Sequence, residues 1–333
     1  MAFIDLIYEK AKAVKKRVAV PECTNPSMMR SCIKAAGDQT AEILFVGDKE
    51  QIQQVAREQG LDISGIAICD INDEAYIADL TERFGEYPYK SLGKKYVSKR
   101  MNNPLYMALV MEAVGDADCT FGGLDTTTNE FVLATSGIIG LAENCIVPSG
   151  ILIMEQNDFE GVQGNIFGMS DGAINTEPTA EQLASIAIAC CDSYQALIGK
   201  QAKCAMLSYS TDGSGNSPSV FKMREARDLA QKQRPDLLID GEFQADAAVN
   251  ARVGAKKVKR ESAVAGQANV LIFPDAAACN IATKLIQQFA QGNSFGPIYQ
   301  GFRKPVLDCS RGDTEDRIYD NLAVCSVMAA AAE

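Results

Sequence analysis

The sequence predicts an α/β protein with mostly parallel sheets, on three observations. Short, nearly continuous apolar runs rich in β-branched residues alternate along the whole chain with longer stretches of helical period. Those runs lack the polar alternation of a half-solvated strand, so they are expected to be buried on both faces, as in a parallel sheet flanked by helices. The length of 333 residues points to two domains or one large doubly wound unit.

Strands are expected at Arg17–Val20, Glu42–Val46, Ile66–Cys69, Ile151–Met154, Ala205–Tyr209, Leu237–Ile239, Val270–Phe273 and Pro305–Leu307, with a further strand ending near Phe121. The clearest helix is predicted from Thr179 to Ile198. Thr179 and Gln182 form a capping box at its start and Gly199 ends it. Leu183, Ile186, Ala187, Cys190, Tyr194, Leu197 and Ile198 fall on one face, which predicts a core helix. The best breaks between domains are Asn144–Gly150 and Gln291–Pro297, each containing Gly and Pro.

Composition excludes several chemistries. The chain has no histidine, so a His-based triad, a His-ligated metal and an imidazole general base are all ruled out. Proton transfer must use a carboxylate, Lys, Tyr, Cys or the substrate itself. A formal net charge of -11 argues against a nucleic-acid partner, and the one dense basic run, Lys256–Arg260, reads as a solvated helix end. Eleven cysteines without CxxC spacing sit mostly in apolar stretches and read as reduced, buried thiols of a cytoplasmic protein. The first residues lack the apolar core of a signal peptide, and no apolar run approaches the ~20 residues of a membrane span.

Ligands of open α/β sheets bind beyond the carboxyl ends of the strands, where the strand order reverses. Four loops there carry candidate chemistry. Ser208–Pro218 offers hydroxyls and glycine amides at a helix start, either an anion cradle or an ordinary Gly/Ser turn. Gly122–Asn129, with Thr126, Thr127 and Thr128, is either a phosphoryl cradle or a capped helix start. Asp308–Asp313 contains Ser310-Arg311-Gly312, a hydroxyl donor beside an oxyanion clamp. Asp313, Glu315, Asp316 and Asp320 open the last helix, where acids also suit the helix dipole.

In order, these segments resemble the phosphate acetyltransferase (phosphotransacetylase) family. The resemblance runs through Leu207–Thr211, Arg234–Glu242, Gln244, Asp246-Ala247-Ala248, Val264–Asp275, Asn280-Ile281, Gly296–Gly301, Lys304-Pro305-Val306 and Ser310-Arg311-Gly312. Earlier matches are Pro21-Glu22, Gly115–Asp118 and Phe167–Glu181, so the likeness covers nearly the whole chain.

The resemblance implies two three-layer α/β/α domains with mostly parallel sheets and an interdomain cleft, like those of isocitrate and isopropylmalate dehydrogenases, in a homodimer. Domain one is expected at 1–147 plus 297–333, with domain two inserted at 148–296. The implied reaction is acyl transfer between acyl phosphate and coenzyme A, the latter a substrate, with no metal and no permanently bound cofactor. Ser310 and Arg311 would stabilise the transition state and Asp316 would be the base, with Asp313 or Asp320 as substitutes. Thr126, Thr127, Ser208, Ser210, Thr211, Gly213, Ser214 and Asn280 would bind substrate.

The chain departs from the family at charged positions. Val132-Leu133 stands where the family carries an Arg, Gln288 replaces another, and Asp212 stands for an expected Lys. Arg317 occupies the position of the base, with Asp316 one residue earlier, and Ser27 lies near a missing early Arg. These departures motivate a second reading, a paralogue that binds coenzyme A or a partner without turnover. A third reading, a decarboxylating dehydrogenase of related fold, lacks a glycine-rich dinucleotide fingerprint.

Overall fold

The computed structural model describes residues 2–143, 145–290 and 292–332, so Asn144 and Gln291, the first residues of the two expected breaks, lie outside the described residues. The chain divides into two compact units, Met1–Ala142 with Phe302–Glu333, and Glu143–Gly301. In chain order the first unit supplies α1 (Phe3–Val14), β1 (Arg17–Val20), α2 (Pro26–Gly37), β2 (Glu42–Gly47), α3 (Lys49–Gln59), β3 (Ala67–Asp70), α4 (Glu74–Glu86), α5 (Lys94–Ser98), α6 (Pro104–Val114), β4 (Cys119–Gly122) and α7 (Thr128–Ile138). The second supplies β5 (Ser149–Gln156), β6 (Ile166–Ser170), α8 (Ala180–Ile198), β7 (Lys203–Leu207), α9 (Pro218–Gln233), β8 (Leu238–Phe243), α10 (Ala245–Val249), α11 (Ala251–Lys257), β9 (Val270–Ile272), α12 (Ala276–Phe289) and β10 (Gly292–Gln300). The chain then returns to the first unit for β11 (Val306–Asp308) and α13 (Glu315–Ala331).

The first sheet is parallel throughout, in the order β11-β4-β1-β2-β3. The chain leaves β1 for β2 on one side and returns through β4 on the other, so the strand order reverses between β1 and β4. Helices α6 and α13 both pack on β1 and β4, α6 with α4 and α7 beside it and α13 with α1 and α2. Most helices start on a polar cap. Asn25, Asn103 and Ser217 each accept amide hydrogens from the first turn, with Pro following at the first helical position.

The second sheet runs β10-β5-β6-β9-β7-β8. Its parallel part is β6-β9-β7-β8, with the reversal between β9 and β7. Strand β5 is antiparallel to both β6 and β10. The expected break at Gln291–Pro297 is therefore corrected: residues from Gly292 onward form the edge strand β10. Gly and Pro mark a bulge here, since the register slips between Phe295 and Ile298. Strand β6 was not anticipated, because five residues with a central glycine make no apolar run. Gly168 is needed there, as a Cβ would lie 2.9 Å from the Ile151 side chain under α8.

The capping box of Thr179 and Gln182 and the left-handed Gly199 bound α8 as expected. Its burial is wider than the single predicted face: Ala184, Ser185, Ile188, Ala189 and Cys191 are buried too. The opposite side of the sheet holds a core of Met154, Met169, Leu207, Phe243 and Leu271 with Ala248, Val258 and Cys279 from the helical layer. All eleven cysteines are free thiols and nine are buried. No described helix is long and apolar enough to cross a membrane.

One core acid stands out. Glu112 on α6 is fully buried, and burial pushes its carboxyl up to about 8, against the nearby Lys304. It is therefore protonated in the fold at neutral pH but ionised once unfolded. That stability is fully present below the ordinary glutamate pKa and is lost as pH rises toward 8, at about 1.4 kcal/mol per pH unit. Melting temperatures measured between pH 5 and 8 should fall more steeply for wild type than for Glu112→Gln. Parallel slopes would contradict this.

Candidate functional site

In the first unit the reversal between β1 and β4 brings two of the nominated loops together, Gly122–Asn129 and Asp308–Asp313. Glu22, just past β1, is buried, and its two carboxylate oxygens accept the amides of Leu124 at 2.6 Å and Thr126 at 2.9 Å. The loop after β4 is thus wrapped round an acid of the chain itself. Strand β11 lies beside β4 with Asp308 opposite Gly122, and the Cys309 amide donates to the Gly122 carbonyl at 2.7 Å. Gly123 has φ 109°, and a Cβ there would sit 2.6 Å from the Cys309 carbonyl oxygen, so only glycine allows the approach. The Thr128 hydroxyl donates to Asp308 at 2.9 Å, a second tie between these loops.

Ser310 and Arg311 stand at the exposed tip of the segment so anchored. The Ser310 amide donates to Asp313 at 3.0 Å. Arg311 is exposed and pairs with no carboxylate among the described residues. Asp316 lies in the first turn of α13 with a side chain 90% exposed, 3.5 Å from Lys34, while Glu315 pairs with Arg30. Asp320 faces α1, where Tyr8 donates to it, and burial pushes its carboxyl above the usual range. Thr127 caps α7 through the Glu130 amide, so its oxygen is engaged in the helix start.

In the second unit the loop after β7 meets β8 in a similar arrangement. Glu242 is buried, and its Oε1 accepts the Ser210 hydroxyl at 2.7 Å and the Gly213 amide at 3.1 Å. Arg224 from α9 closes on the same carboxylate at 2.7 and 3.0 Å. Burial raises this carboxyl's pKa, but Arg224, Ser210 and the amides outweigh it and hold it at about 2. Ser214 takes the Thr211 amide, and Thr211 exchanges hydrogen bonds with Gln244. Within the Ser208–Pro218 loop, Ser210 and Gly213 are thus bonded to a carboxylate of the chain itself. Asn280 is placed separately, on α12.

The basic run is the exposed end of α11, as expected, with Lys256 and Lys257 in its last turn. Val258 is buried, Lys257 pairs with Asp246, and Arg260 binds Asp240 and Asp212, each at 2.7 Å. Asp212 thus has its own cation in place of the lysine the family pattern would put there. Of the other departures, Leu133 is 62% exposed on α7, Gln288 is exposed on α12, and the Ser27 amide donates to the Asn25 cap of α2. Arg317 follows Asp316 in α13. Among the described residues no three His, Cys, Asp or Glu side chains gather as a metal site requires.

The sequence names Glu22, Glu242, Thr128 and Asp308 but not the partners the fold gives them, and Arg224 carries no local signal, since its partner Glu242 lies on another element.

Comparison with known proteins bears on both halves. The family model described as "Phosphate acetyl/butaryl transferase" matches residues 2–326. A phosphate acetyltransferase of Clostridium acetobutylicum is 36% identical over 99% of each chain, and one of Thermoanaerobacterium thermosaccharolyticum is 35% identical over 99% of this chain and all of its own. A solved phosphotransacetylase of Streptococcus pyogenes superposes with a TM-score of 0.90 at 30% identity, covering 99% of both chains.

Proposed function

The chain belongs to the phosphate acetyl/butaryl transferase family, and from that premise we propose that it transfers an acyl group reversibly between acyl phosphate and coenzyme A. The observation that carries the reading is Arg311, an uncommitted guanidinium beside the Ser310 hydroxyl at a strand-order reversal. In a chain of net charge -11, a free cation held at that point is an anion-binding feature.

Asp316 takes the thiol proton of coenzyme A, and Asp313 holds the loop through the Ser310 amide. The thiolate attacks the acyl carbonyl, forming a C–S bond, while Arg311 and Ser310 stabilise the oxyanion. Collapse breaks the bond between the acyl carbon and the phosphoryl oxygen, and the departing phosphate takes the proton back from Asp316, which restores the base. Thr126, Thr127, Ser208, Ser210, Thr211, Gly213, Ser214 and Asn280 are the binding residues of this reading. The reaction so written uses coenzyme A as substrate and needs no metal or permanent cofactor. Eleven free thiols suit a reducing cytoplasm.

A homodimer belongs to the same reading, with the second copy covering the outer face of α12. Ile281, Leu285 and Phe289 lie at i, i+4 and i+8 there, Phe289 84% exposed, and β10 beside them is a sheet edge.

Thioester formation from coenzyme A and a panel of acyl phosphates tests the activity. Arg311→Ala should lower kcat by about 10²–10³-fold. Equal rates would remove Arg311 from the chemistry, and no turnover with retained coenzyme A binding would support the non-catalytic paralogue. Phe289→Asp should convert a dimer in sedimentation to a monomer, and an unchanged sedimentation coefficient would place the interface elsewhere.

A further inference from the structure

The segment Phe302–Pro305 brings the chain back to the first unit and into β11, an edge strand of three residues that pairs with β4 alone. Cys309, Ser310 and Arg311 follow directly, so whatever fixes the start of β11 also sets the loop at its end. Two groups hold that start. The Arg303 amide donates to the Gly140 carbonyl at 3.0 Å. Lys304, half-buried, donates through Nζ to the Glu112 carbonyl at 2.5 Å, which also takes the Gly115 amide at 3.2 Å. This is the last turn of α6, where a cation meets the negative end of the helix dipole.

The side chain of Glu112 lies beside this contact and takes no part in it. It is fully buried, and neither carboxyl oxygen has a hydrogen-bond partner among the described residues. Thr120 faces it from β4; its hydroxyl is buried and unpartnered too, and the residue is the register partner of Val306 on β11. Few charged or titratable groups surround the carboxyl. Lys304 faces it from ahead of β11, Asp118 and Cys119 from the start of β4, and Tyr87 from just past α4. Arg17 of β1 is committed to Asp118. Glu130 of α7 lies toward Tyr106 at the other end of α6, and Glu42 of β2 is exposed. A neutral carboxyl can stay in such a place, but a carboxylate there needs a cation. Lys304 is the cation at hand that has no acid partner among the described residues.

We propose that Lys304 and Glu112 are positioning residues for the Ser310-Arg311 loop: the ammonium pins the start of β11 to the end of α6 while the carboxyl beside it is neutral, and leaves that post when the carboxyl ionises. Ser310 and Arg311 have here the roles that the acyl-transfer reading gives them, and the inference rests on that reading. Burial sets the titration of the carboxyl at about 8, so the handover falls just above neutral pH. The released proton goes to solvent, the ammonium moves from the Glu112 carbonyl to the carboxylate of the same residue, and β11 shifts with it against Thr120.

The test compares kcat for acetyl phosphate and coenzyme A in wild type and Glu112→Gln. Glutamine keeps the shape of the neutral acid and cannot ionise, so the two enzymes share every other titration. From about pH 7 to about pH 9 the ratio of wild-type to variant kcat should fall about tenfold. Lys304→Met should lower kcat about tenfold or more with KM little changed, and Lys304→Arg should restore most of it. The amide resonances of Val306 and Cys309 in ligand-free protein give a readout that needs no turnover, and should titrate at about pH 8 in wild type but not in Glu112→Gln. That titration in a protein without turnover would keep the handover and sink acyl transfer. Turnover with a flat ratio, with no titration of these amides, or with kcat unmoved in Lys304→Met would sink the handover and keep acyl transfer. Neither turnover nor titration would sink both.

Discussion

A parallel strand delivers its chain to a loop whose first amides have no ladder partner, and those amides must be satisfied before the loop can hold a shape. In this protein carboxylates of the chain itself do so. Glu22 takes the Leu124 and Thr126 amides after β4, and Glu242 takes Gly213 after β7. Asp171 takes the amides of Ala173, Ile174 and Asn175 after β6, and Asp313 takes that of Ser310 after β11. An amide bonded to a buried carboxylate contributes about 1.5–3 kcal/mol, more than a neutral pair. These bonds tie each loop to the chain's own acids.

This constraint decides which groups are left for substrate. The Leu124, Thr126 and Gly213 amides are engaged by internal acids, so in the proposed reading anion recognition rests more on hydroxyls and on free side chains such as Arg311 than on backbone amides. The same logic explains why acids persist beside the sites: without Glu242 the charge on Arg224 would lose its partner at a half-buried position. Asp212 with Arg260 and Asp240 extends that network rather than opposing it.

Much of the fold was legible in the chain. The strands at Arg17, Glu42, Val270 and Val306 are buried on both faces and so read as continuous apolar runs. The helix at Ala180 carried both its caps. Legibility failed where tertiary contact overrode local signal. Gly168 looks like a breaker but lies in a strand because α8 packs against it, and Gly296-Pro297 looks like a linker but is a bulge in an edge strand. For the sites, Ser310-Arg311 could be nominated by its place after a strand, whereas Glu22 bonds amides 102 and 104 residues away and Glu242 one 29 residues away. No local pattern reports such pairings. The loop hydroxyls were readable as anion ligands, but not that the anion is internal.

Amide hydrogen exchange in ligand-free wild type and Glu22→Gln tests this account most directly. A glutamine keeps one accepting oxygen and turns the other into a donor, so one of the two amides of Leu124 and Thr126 must lose its partner. The account predicts that at least one of these amides exchanges about tenfold faster or more in the variant, while amides of β2 keep their rates. Unchanged rates at both would mean that the loop is held by something other than the buried carboxylate, and the account would be wrong at its base.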